Sequence, residues 1–151
     1  MVMGLPAHPL LVHFAIVLLL LAAGAQVLAV AVPRFRRWFD WGMPLLAVAG
    51  AVSGRVAQSY GEILMGTAGG NQALVEHQQW GAQAGLAGLV LGGLSILHWV
   101  ATSERGRSRW AARWPGWVGT GLGVAAALVA VWTVVVVTLA GHSGATTVWG
   151  G

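Results

Sequence analysis

Pro9–Val32 reads PLLVHFAIVLLLLAAGAQVLAVAV and holds no aspartate, glutamate, lysine or arginine. A membrane-crossing helix needs about 20 mostly apolar residues, and this run supplies them. Pro9 suits the first turn, where a missing N–H removes no helix bond. Pro33 and the cluster Arg34-Phe35-Arg36-Arg37 end the run. Working outward, three further spans are expected at about 42–64, 80–101 and 116–140, beside the first at 9–32. The second is the least apolar and carries Arg55, Gln58, Ser59 and Glu62. A glycine-rich turn from Gly66 to Asn71 breaks it, and Asn71 is the expected N-cap of a helix starting near Gln72.

The chain of 151 residues is 57% hydrophobic and only 8% charged. A soluble domain carries about 25% charged residues, so this chain cannot cover a water-facing surface. The expected fold is all-α, an integral membrane antiparallel four-helix bundle forming one domain over 1–151. Short loops make consecutive helices antiparallel neighbours. Gly81, Gly85, Gly88 and Gly92 form a small-residue stripe that lets helices approach closely. Packing within the chain is the preferred use of that stripe, and a homo-oligomer contact is the alternative. The absence of cysteine excludes disulfides, thiolate metal sites and iron–sulfur clusters held by this chain alone. The opening MVMGLPAHPL has no basic segment before the apolar run, so no cleaved signal peptide is expected.

All of the basic charge is arginine, and the formal net charge is +4. Such an excess marks cytoplasmic loops of a membrane protein rather than a nucleic-acid surface. Arg34, Arg36 and Arg37 lie in the first loop, and Arg105, Arg107, Arg109 and Arg113 in the third. Both loops are therefore expected in the cytoplasm, with both termini outside. Trp38, Trp41, Trp99, Trp110, Trp114 and Trp117 would mark the cytoplasmic interface, and Trp80 and Trp149 the outer one.

That orientation gathers His8, His13, His77 and His142 in the outer half. An ionisable residue inside a membrane segment points to function, which singles out His13. His98 lies 21 residues after His77, about 30 Å along a helix, and beside Trp99 it reads as an interfacial residue. Arg55, Ser59 and Glu62 share one helical face. Arg55 falls mid-helix and needs a partner, either Glu62 in the bundle interior or an anion such as a haem propionate.

A haem needs two axial donors on opposite faces of a flat ring. Helices one and three of an antiparallel bundle are diagonal, so His13 and His77 form the expected bis-histidine pair. His8 and His142 are the alternates, and Ala15, Gly81, Ala82 and Gly85 provide small neighbours. The cofactor expected is haem b, with a histidine-bound transition metal as the alternative. No serine or threonine has a histidine–carboxylate arrangement, so no independent catalytic activity is expected.

The opening Leu5-Pro6-Ala7-His8-Pro9-Leu10-Leu11-Val12-His13-Phe14-Ala15-Ile16 resembles that of the bacterial membrane family called domain of unknown function 2231. Its members begin His-Pro-x-x-Val-His-Phe-Pro-Ile, have four spans and carry a histidine heading the third, which His77 matches. Ala15 stands where the family usually has proline, and His142-Ser143 depart from its glycine-rich closing segment. The resemblance implies a bacterial cytoplasmic (inner) membrane location. Some relatives are fused to a Rieske-type iron–sulfur domain, which implies electron transfer and an iron–sulfur protein or other redox protein as partner.

Three functions follow. The first is a b-type cytochrome-like electron-transfer or anchor subunit, passing electrons between quinol and a partner protein. The second is a transition-metal binding or transport protein using His8, His13, His77, His142 and Glu76. The third is a cofactor-free assembly subunit whose polar residues fix the helices.

Overall fold

The computed structural model describes residues 7–65 and 72–149. Every element among them is helical: α1 (Ala7–Ala31), α2 (Pro33–Phe39), α3 (Gly42–Met65), α4 (Gln72–Thr102), α5 (Glu104–Arg109) and α6 (Gly116–Trp149). The Gly66–Asn71 turn and its expected N-cap lie outside the described residues. Helix α4 begins at Gln72, as its sequence suggests. Helix α6 runs on to Trp149 instead of ending near 140. Gly141, His142, Ser143 and Gly144 read as a break, but none of them forbids a helix. Ser143 even returns its hydroxyl to the Ala140 carbonyl, one turn back, at 3.1 Å.

Local chemistry sets the corners. Val32 is extended (φ −124°, ψ 94°) ahead of Pro33, which disfavours helical backbone before it and then starts α2. Asp40 closes α2 with a φ of 37°, the only positive value at a non-glycine among the described residues. Its carboxylate accepts from Trp99 Nε1 at 2.9 Å and pairs with Arg105, so the α2–α3 corner is tied to the end of α4 and to α5. Ser103 caps α5 by accepting from Gly106 N at 2.9 Å. A Cβ on Gly106 would lie 2.6 Å from Val100 Cα and 2.7 Å from its carbonyl oxygen. Because backbone cannot swing aside, Gly106→Ala is expected to destabilise the protein by about 1–3 kcal/mol. Chemical unfolding of the purified variant checks this, and a wild-type curve would refute it.

The four long helices form a ring in which α1 packs on α3, α3 on α4, α4 on α6 and α6 on α1. Each neighbouring pair is antiparallel. Leu19 of α1 meets Gly54, and Ala47 and Ala51 of α3 meet Gly92 and Gly88. At one end of the α4–α6 pair His77 meets Gly144, and at the other Thr102 meets Gly119. Three of the four stripe glycines on α4 pack against residues of this chain: Gly85 against Gln58, Gly88 against Leu19, and Gly92 against Ala51.

Side-chain size is distributed inside out relative to a soluble protein. The buried positions are dominated by alanine: Ala22, Ala23, Ala47 and Ala130 surround Leu91, and Ala84 and Ala87 lie with Leu19 and Val136. The large apolar side chains face outward, with Phe14 60%, Ile63 68% and Leu128 67% exposed. Water would penalise that surface, whereas hydrocarbon does not. Helices α1, α4 and α6 are long and apolar enough to cross a membrane. Helix α3, diluted by Arg55, Gln58, Ser59 and Glu62, does not join them.

Candidate functional site

The ring's two ends differ in chemistry. Helices α1 and α4 run in the same direction across the diagonal, so their N-termini and the C-terminus of α6 share one end. That end collects His8, His13, His77 and His142. The opposite end carries α2, α5 and the turn to α6, with Arg34, Arg36, Arg37, Arg105, Arg107, Arg109 and Arg113.

At the histidine end, His77 is the best-defined side chain. Its Nδ1 lies 3.0 Å from the Ala140 carbonyl oxygen and 3.3 Å from Ser143 Oγ. A carbonyl only accepts, so Nδ1 carries the proton and the lone pair of the neutral ring sits on Nε2. The ring is seated on Gly144, where an added Cβ would come within 2.9 Å of Cε1. One turn further along, Gly81 has open space around it, with nothing within 4 Å of an added Cβ. His13 and His142 are exposed. His8 occupies the α1 register of the buried Ala15, Leu19, Ala22 and Gln26; its side chain lies outside the described residues. Among the described residues no three histidine, aspartate or glutamate side chains come together as a metal cage.

Two expectations need correction. Arg55 approaches Glu62, at 4.0 Å, but not in the interior: the two side chains are 50% and 46% exposed. Arg55 shares its face with the exposed Val48 and Val52, and Gln58 takes the closer bond to Glu62, at 2.8 Å. His98 is not an interfacial side chain beside Trp99. It is 3% exposed, and its Nδ1 lies 3.0 Å from Gln26 Nε2. Ser95 Oγ donates to Gln26 Oε1 at 3.0 Å, which turns the amide N–H toward His98. The chain Ser95 to Gln26 to His98 therefore leaves the His98 proton on Nε2. Gln26 reaches from α1 to its diagonal partner α4, so this network crosses the centre of the ring. The sequence offered one hint of it: an unbroken apolar run contains a lone glutamine that no helix in hydrocarbon carries without a partner.

Outward-facing large apolar side chains, a small-residue interior and seven of the eight arginines at one end define a helical membrane protein. A family model described as predicted membrane protein (DUF2231) matches residues 4–151. The chain belongs to that family. No curated protein and no solved structure matches it.

Proposed function

We propose that the protein is a b-type cytochrome-like subunit of a bacterial inner membrane, holding one haem b at the histidine end and relaying electrons to a redox partner. In this reading α3 is a fourth span, its polar face shielded by Glu62 and Gln58. The single observation that carries the proposal is the seating of His77. A ligating histidine normally donates its other ring N–H to a carbonyl or carboxylate, which fixes the tautomer and aims the lone pair at the metal. His77 has that arrangement, with Ala140 as the acceptor. The open space at Gly81, one turn away, suits a flat macrocycle. The second axial ligand is an α1 histidine, His13 or His8, with His142 of α6 the remaining candidate. A haem asks the protein for two imidazoles, fewer donors than a closed metal cage, which favours it over a histidine-bound transition metal. Bound haem supplies one-electron redox chemistry; the chain supplies ligation, orientation and exclusion of water. Arg55, on the outer face of α3, is offset by Glu62 and has no part in holding the haem.

The test is a visible spectrum of protein purified from haem-replete cells. Sharp α and β bands on reduction are expected, and a colourless protein refutes the reading. A second reading has its own support, because the His77–Ala140 bond also ties α4 to α6. A cofactor-free assembly subunit would keep that tie and show no bands.

With seven arginines at one end, the positive-inside rule puts both termini outside. A reporter fused after Gly151 should be active in the periplasm. Activity in the cytoplasm instead would invert the proposed placement of the haem.

A further inference from the structure

At the arginine end, a cleft of about 310 Å³ opens between α1, α2, α4, α5 and the start of α6. Its cationic wall is Arg36 of α2 and Arg107 of α5. Neither makes an ion pair among the described residues, where the two pairs are Arg105 with Asp40 and Arg55 with Glu62; Glu104, three residues before Arg107 on α5, makes none. A third contribution is the N-terminus of α6 at Gly116, whose first-turn N–H groups and dipole favour negative charge. That wall is bare: Gly116, Gly119 and Gly123 line it.

An independent feature points to a ligand. His98 also lines the cleft and is 3% exposed. Its Nδ1 is satisfied by Gln26, so Nε2 carries a proton, and that N–H has no acceptor among the described residues. Nε2 lies 3.1 Å from where a Cβ on Gly123 would stand. A buried donor left without an acceptor costs about 1–3 kcal/mol, so the geometry calls for an acceptor in the cleft.

We infer that this cleft binds the phosphate of an anionic phospholipid, with Arg36 and Arg107 on the phosphate and His98 Nε2–H donating to an acyl ester carbonyl below it. The lipid is favoured over free phosphate by the rest of the cleft. Val30 and Val124 continue it into apolar surface, and Val124 is 50% exposed. Trp38, Trp110 and Trp117, each more than 70% exposed at the same end, mark headgroup depth. The inference does not depend on haem being bound.

The test is native mass spectrometry of the full-length protein in detergent, titrated separately with phosphatidylglycerol, phosphatidylcholine and inorganic phosphate. Phosphatidylglycerol should bind more tightly than phosphatidylcholine. Arg36→Gln with Arg107→Gln removes two charge-assisted contacts and should weaken phosphatidylglycerol by about tenfold or more. Gly123→Ala crowds Nε2 without touching either arginine. It should weaken ester-linked phosphatidylglycerol but leave an ether-linked analogue, which has no carbonyl, unchanged. Circular dichroism of both variants confirms that the helices persist. Inorganic phosphate adducts that vanish in the arginine variant, with no preference between the lipids, would assign the same phosphate site to the free anion. Equal binding of both lipids, unaltered in either variant and without phosphate adducts, overturns the site.

Discussion

His77→Ala is expected to remove the reduced α and β bands completely, because it deletes an imidazole whose Nδ1 is anchored on the Ala140 carbonyl. His77→Gln should remove them as well: a glutamine can reach Ala140 but offers iron no imidazole. Among the partners, His13→Ala should abolish the bands if α1 ligates through its exposed histidine, and His8→Ala if it ligates through the inward register. Arg109→Gln is the control. It lies at the opposite end of α4 and α6, helices of 31 and 34 residues and so about 45–50 Å long, and the bands should be untouched. Gly144→Ala should give an intermediate result. The added methyl would stand 2.9 Å from Cε1, so the ring must shift, and the bands should broaden or lose intensity. Loss of bands in His142→Ala alone would move the second ligand to α6. Bands that survive His77→Ala would end the assignment of His77 altogether.

Gln26→Leu is the second large effect. It leaves His98 Nδ1 without its donor and Ser95 Oγ without its acceptor, in the centre of the ring. A buried polar group so stranded costs about 1–3 kcal/mol, although partners found within the membrane-inserted unfolded state reduce the net value. Unfolding of the variant in mixed micelles should show that loss. Ser95→Ala removes a single bond and should cost less. The triple change Gln26→Leu, Ser95→Ala, His98→Phe should cost less than the sum of its parts, because it leaves no polar atom stranded. Strict additivity, or a Gln26→Leu protein as stable as the parent, would mean that the three residues do not act as one network.

Much of the architecture was legible because hydrocarbon imposes length. A run such as Pro9–Val32 announces α1 within a few residues of both ends, and Pro33 with its arginines announces the corner. The start of α4 at Gln72 was equally readable. What sequence could not supply was facing. Arg55, Ser59 and Glu62 share a face, but only the alanines and glycines of α3 disclose that this face looks outward. Gln26 signalled a need for a partner but not which one. Its partners stand 69 and 72 residues away, and a pattern seen along one helix contains nothing about a bond to the diagonal one. His98 was misread through its neighbour: Trp99 does belong to the interface corner, bonded to Asp40, while the next residue back turns into the core. For His77, the accepting Ala140 carbonyl stands 63 residues away on α6, and the neighbouring Ser143 and Gly144 lie in a stretch that reads as a tail.

The inverted distribution of side-chain size has a consequence for how this sequence tolerates change. Leu128, Val131 and Phe14 are more than half exposed, so one oily residue can replace another there with little effect. Ala22, Ala126 and Ala130 are wholly enclosed, and a single extra methyl at any of them must push two helices apart. A saturation scan would therefore find the bulky residues interchangeable and the smallest ones fixed, the reverse of the pattern for a protein folded in water. Drift in such a chain would accumulate among leucines and valines, while the alanines and glycines keep the record of its ancestry.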